Sequence, residues 1–87
     1  MLTIYTSLHC RGCARAKQLA QQVRNMRPAA PVRLIELDGE SVWPEQVIGT
    51  PMYLWNQQVW YMGNPRIDEL LARLDDHTKP SGTAVTG

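Results

Sequence analysis

Leu2-Thr3-Ile4-Tyr5-Thr6-Ser7-Leu8-His9-Cys10-Arg11-Gly12-Cys13-Ala14-Arg15-Ala16-Lys17-Gln18-Leu19 holds both cysteines of an 87-residue chain. Leu2 to Thr6 predicts a strand. Ala14 to Met26 predicts a helix, because Cys13, Ala16, Leu19, Ala20, Val23 and Met26 recur at helical spacing. Cys10 and Cys13 therefore fall at a strand-to-helix junction, where a first helical turn can bring two thiols together into a small disulfide ring. With no visible secretory leader ahead of it, a CxxC so placed reads as a dithiol redox site.

Working outward, Pro28 and Pro31 stop the helix. Val32 to Leu37 predicts a second strand with Val32, Leu34 and Ile35 inward, ended by a turn at Asp38-Gly39. Pro44 marks the start of a one- or two-turn helix through Val47. Met52 to Trp55 and Val59 to Met62 predict a hairpin turning at Asn56-Gln57-Gln58, and Gly63 breaks it. Asn64 reads as a helix N-cap with Pro65 at the first helical position. Ile67, Leu70, Leu71 and Leu74 then form the apolar stripe of a last helix, with Asp68 and Glu69 favourably placed in its early turns. Residues 1–75 are expected to form one domain, and residues 76–87 a flexible, aperiodic tail. The order is β-α-β-(short α)-β-β-α. The first two strands, joined through a helix, should be parallel, and the hairpin antiparallel, in a four-stranded mixed α/β sheet.

Bulk composition narrows the function classes. The chain is 44% hydrophobic and 20% charged, as an ordinary globular domain is. A net charge of +1 argues for neither nucleic acid nor a membrane surface as partner, and no apolar stretch is long enough to span a bilayer. The charges are segregated, however. Every charged residue before Glu36 is basic (Arg11, Arg15, Lys17, Arg24, Arg27, Arg33), and Glu36, Asp38, Glu40 and Glu45 follow as an acidic stretch. That pattern reads either as a solvated face or as a positive field beside the thiols. A reducing, cytoplasmic setting is the default expectation, and a lone CxxC there is catalytic or metal-binding before it is a structural staple.

The segment Thr3 to Leu19, with its Tyr5-Thr6 pair, CxxC and Ala16-Lys17, resembles the start of a dithiol glutaredoxin. Glu36-Leu37-Asp38-Gly39 and Thr50-Pro51 before a hairpin continue the likeness over residues 2–74. The resemblance is to the thioredoxin-like superfamily more than to one branch. Arg11-Gly12 stands where glutaredoxins carry Pro-Tyr and thioredoxins Gly-Pro. Gly63-Asn64-Pro65-Arg66-Ile67-Asp68 replaces the Gly-Gly-x-Asp-Asp stretch that holds glutathione, and Thr50 replaces the usual Val. Met62-Gly63-Asn64-Pro65-Arg66 echoes the Ser-Gly-Phe-Arg-Pro-Asp hallmark of the small redoxins that serve ribonucleotide reductase.

The chemistry expected at the CxxC follows from its position. Oriented amides at a helix N-terminus favour thiolate, which makes Cys10 the candidate nucleophile and Cys13, inside the first turn, the resolving thiol. Arg11, His9 and Lys17 are candidates to tune the thiolate. The resemblance implies a cis Pro51 facing the CxxC, with Thr50, Pro51, Gly12, Gly63 and the loop residue Trp43 meeting substrate. It also implies disulfide-containing protein substrates, no bound cofactor, glutathione or a reductase as electron source, and a monomer. Strand one offers no counterpart to the buried acid of thioredoxins. Two rivals remain open: a soft-metal (copper or zinc) carrier using His9, Cys10 and Cys13, and a non-catalytic binding module on the same fold.

Overall fold

β1 (Leu2–Ser7) buries alternate residues, so Leu2, Ile4 and Thr6 point to one face of a sheet and Thr3, Tyr5 and Ser7 to the other. The computed structural model describes residues 1–37 and 42–78. After β1 come α1 (Cys13–Met26), β2 (Val32–Leu37), β3 (Met52–Trp55), β4 (Gln58–Met62) and α2 (Ile67–Thr78). The strands form one sheet in the order β2-β1-β3-β4. β1 and β2 pair in parallel from Leu2↔Val32 to Ser7↔Leu37, as a helical crossover demands, and β3 is antiparallel to both β1 and β4. The chain is a small α/β domain with a four-stranded mixed sheet and two helices. No helix among the described residues is long and apolar enough to cross a membrane.

Both helices cover the same face. Ala16, Leu19, Ala20 and Val23 of α1 and Leu70, Leu71 and Leu74 of α2 bury against Leu2, Ile4, Tyr53 and Trp60. The opposite face carries a smaller cluster of Leu37, Val47, Met52 and Leu54, with Tyr5, Ile35 and Trp43 packed on it. β2 is thus split by its pleat: Val32 and Leu34 meet the helices, whereas Ile35 turns to the second cluster.

Several local expectations change under tertiary contacts. The short helix at Pro44–Val47 is a single turn, closed by the Val47 N–H donating to the Pro44 carbonyl at 2.9 Å. One turn gains too few hydrogen bonds to hold a helix by itself, and Val47 is instead spent on the second cluster. The hairpin turn has two central residues, Asn56 and Gln57, at φ 47° and 73°, the left-handed pair that matches strand twist. Leu54 pairs with Val59 and Tyr53 with Tyr61, leaving Trp60 as the extra residue of a bulge. Trp60 is turned inward and stacks on Trp55 at 5.1 Å.

α2 starts at Ile67, its first bond running from the Leu70 N–H to the Arg66 carbonyl at 3.0 Å. Asn64 and Pro65 precede it, so Asn64 is not its N-cap. The helix also continues through Thr78, past the boundary expected at residue 76. His77 packs its ring 4.8 Å from Trp60 and 6.0 Å from Trp55, extending the stripe of Leu70 and Leu74 by one turn. Residues 79–87 of the expected tail, and the expected Asp38-Gly39 turn, lie outside the described residues.

Candidate active site at the CxxC turn

Cys10 and Cys13 are joined as a disulfide, with Cα atoms 5.4 Å apart. β1 delivers the chain to this point, His9 turns it at φ 59°, and the Cys13 N–H donates to the Cys10 carbonyl at 3.3 Å. A left-handed histidine is within the conformations His tolerates better than most residues. α1 then begins at Cys13, with Gly12 as N-cap. No side chain caps it and no acid occupies its first turn, so the helix amides face the disulfide end; Glu36 of β2 lines the same cleft, bound to Lys17.

The two sulfurs live in different surroundings. Cys13 is 4% exposed, and the Ser7 N–H donates to its Sγ at 3.4 Å. Cys10 is half-buried, and both cysteines line a cleft of about 390 Å³ together with His9, Arg11, Lys17 and Glu36. The thiolate-tuning candidates are therefore gathered at one opening. They are not equivalent: the Lys17 ammonium is bound to Glu36 at 3.0 Å, which offsets its charge, while His9 and Arg11 are exposed.

The other flank of the turn is built by β3 and the chain around it. The Thr50-Pro51 peptide is cis, as the resemblance implies. Gly12 lies so close to Pro51 that an added Cβ would stand 3.1 Å from Pro51 Cδ and 3.1 Å from Asn64 Nδ2. Gly63, at φ 95°, donates its N–H to the Pro51 carbonyl at 2.9 Å. Thr50 Oγ1 and Ser7 Oγ share a hydrogen bond at 2.6 Å, tying the segment before Pro51 to the end of β1. Gly12, Thr50, Pro51 and Gly63 thus converge. Trp43 packs half-buried on the second cluster, with Leu37, Val47, Met52 and Leu54, and is not among the residues that line the cleft.

Two residues meet the CxxC turn in a role that the sequence reading did not give them. Asn64 Nδ2 donates to the Gly12 carbonyl at 2.9 Å, and Asn64 Oδ1 accepts from the Tyr53 hydroxyl at 2.8 Å. Tyr53 is fully buried. Burial pushes its phenol above the usual range, against an opposing pull from Arg15, so it stays a neutral donor. Asn64 in an Asn-Pro pair reads locally as a cap, and only the tertiary structure shows a different partner.

Among the described residues, no three His, Cys, Asp or Glu side chains come together as a metal site. Compared with protein-family models, curated proteins and solved structures, the chain matches none.

Proposed function

We propose that the chain is a thiol–disulfide oxidoreductase of the thioredoxin-like superfamily that reduces protein disulfides. One observation carries the reading: the two cysteines of one cleft are unequally buried, Cys13 being 4% exposed at the start of α1 and Cys10 more open to solvent. An attacking thiol needs access, and a resolving thiol needs only to reach its neighbour.

In the dithiol state the Cys10 thiolate attacks one sulfur of a substrate R–S–S–R′. The Cys10–S–S–R mixed disulfide forms and R′–S⁻ leaves. The Cys13 thiolate then attacks Cys10 Sγ, closing the Cys10–Cys13 disulfide and expelling R–S⁻. Two electrons pass from the dithiol to the substrate, and the two protons given up by Cys10 and Cys13 end on the two product thiols. The uncapped amides of α1 support the thiolate form at this end of the helix. A further two-electron donor, glutathione or a reductase, must return the disulfide to the dithiol.

Exposed apolar residues favour a polypeptide substrate. Leu8, Ile48 and Met62 are 59%, 73% and 64% exposed. The strand register puts the segments that carry them at the disulfide end of the sheet, around Pro51. Turnover of an insulin-type disulfide by the reduced protein tests the reading. Cys10→Ser should abolish it, and Cys13→Ser should stop after one attack; full turnover by Cys10→Ser would refute the assignment. Coupling the same assay to glutathione with its reductase, and separately to NADPH with thioredoxin reductase, identifies the electron source.

A further inference from the structure

We infer that Asn64, oriented by Tyr53, is a positioning residue for the Cys10–Cys13 couple, clamping the turn between the cysteines in its disulfide-ready geometry. The inference rests on the dithiol reading of that couple, but its test does not require turnover.

The carboxamide has one orientation that satisfies both neighbours. The Gly12 carbonyl can only accept, so the Asn64 NH₂ group faces it at 2.9 Å; the carbonyl end then receives the Tyr53 hydroxyl at 2.8 Å. Tyr53 sits in β3 among the buried core, so the clamp is anchored to the sheet and not to a loop. Its target lies between the cysteines. The Gly12 carbonyl also accepts the Ala16 N–H at 3.0 Å, the bond that opens α1. Asn64 therefore holds from outside the helix the same peptide that the disulfide holds from its two sides.

Two constraints that order one segment reinforce each other, because the ordering entropy is lost only once. With the disulfide closed, loss of the clamp costs the full hydrogen bond. With the cysteines reduced, loss of the clamp also frees the turn, and that entropy offsets part of the cost. Removing the clamp thus disfavours the disulfide relative to the dithiol. Reciprocally, closing the disulfide strengthens the clamp. During resolution, when Cys10 is tied to substrate, the clamp keeps Cys13 within reach of Cys10 Sγ and raises its effective concentration.

The test is the equilibrium between Cys10–Cys13 disulfide and dithiol in defined dithiothreitol buffers, measured for the wild type, Asn64→Ala and Asn64→Asp. Asn64→Ala should lower the constant for disulfide formation about twofold, part of the weight of one neutral hydrogen bond because the reduced form also loses some of it, which is about 9 mV upward in potential. Asn64→Asp, which keeps an acceptor for Tyr53 but turns a carboxylate on the Gly12 carbonyl, should shift it further the same way. Thermal melts should show Asn64→Ala hurting the oxidised form more than the reduced form. Tyr53→Phe, a buried near-isostere, should shift the constant in the same direction and less than additively with Asn64→Ala, and it carries the test if the Asn64 variants do not fold. Equal destabilisation of both redox forms with an unchanged constant overturns the clamp. A shifted constant in a protein whose wild type reduces no insulin keeps the clamp and removes the proposed function; the reverse pattern does the opposite.

Discussion

Gly12 and Pro51 are packed so closely that a Cβ at position 12 would fall 3.1 Å from Pro51 Cδ, tight enough that the proline would have to give by a few tenths of an ångström. The CxxC turn and the segment before β3 are consequently one structural unit, although 38 to 41 residues of chain separate the cysteines from Pro51. Gly12→Ala should therefore displace the turn from Pro51. Overpacking of this kind costs about 1–3 kcal/mol. The loss should appear in urea denaturation of the oxidised protein; an unchanged midpoint would mean that the turn yields freely.

Gly63 is required for a different reason. Nothing lies within 4 Å of a Cβ built there, yet its φ of 95° is one that L side chains rarely adopt. Gly63→Ala should cost about 1 kcal/mol through backbone conformation alone. Comparing the two alanine variants separates crowding from conformation: a second substitution that trims Asn64 should relieve Gly12→Ala in part and leave Gly63→Ala untouched.

Trp43 is packed as a core residue, against the cluster of Leu37, Val47, Met52 and Leu54. Trp43→Ala should lower stability by about 2 kcal/mol, less than full burial would imply because the residue is only partly buried. Turnover by the folded fraction should stay within about twofold of wild type. A large rise in KM for a protein disulfide, with stability intact, would make Trp43 a docking residue after all.

Tyr53 should lower stability at alkaline pH. Its phenol is raised above the ordinary value of 10.0, chiefly by burial. Above pH 10 the unfolded chain therefore releases a proton that the folded chain retains, and unfolding is favoured as pH rises. Stability should be flat through this group below that pH and fall above it. Tyr53→Phe should flatten the fall, as read from chemical denaturation at pH 8 to 11; an equally steep fall in the variant would place the alkaline sensitivity elsewhere.

Arg27 and Asp75 join the end of α1 to α2 through two hydrogen bonds, Nε–Oδ1 at 2.8 Å and Nη2–Oδ2 at 2.9 Å. Both side chains are about 40% exposed, so solvent and salt screen the pair. Asp75→Ala should cost about 0.5–1 kcal/mol at low salt. Half of that or less should remain at 1 M salt, where the screening length is about 3 Å. A cost independent of salt would point to packing by the Arg27 stem.

The elements that carry strong periodicity were legible from residues alone. β1, α1 and the hairpin each repeat one contact pattern over several residues, and the CxxC at the β1–α1 junction follows directly. What was not legible depends on partners distant in the chain. Asn64 before Pro65 has the local chemistry of a helix cap, but Gly12 and Tyr53 compete for the same carboxamide and win. Polar Asp75, Asp76 and His77 break the apolar stripe of α2, yet His77 continues its face as an aromatic ring against Trp60. Lys17 sits one helical turn after Cys13 and reads as a tuning charge until Glu36, near the end of β2, takes it. The Pro44–Val47 segment carries a start signal for a helix but too few residues to propagate one.

The most direct measurement of the nucleophile and resolver roles is covalent trapping. Reduced Cys13→Ser and Cys10→Ser proteins are each mixed with a protein disulfide, quenched in acid and read by intact mass. Cys13→Ser should accumulate a one-to-one adduct, released by dithiothreitol and mapped to Cys10, while Cys10→Ser should accumulate none. An adduct that forms instead on Cys13, or equally on both cysteines, would contradict the assignment of Cys10 as the attacking thiol.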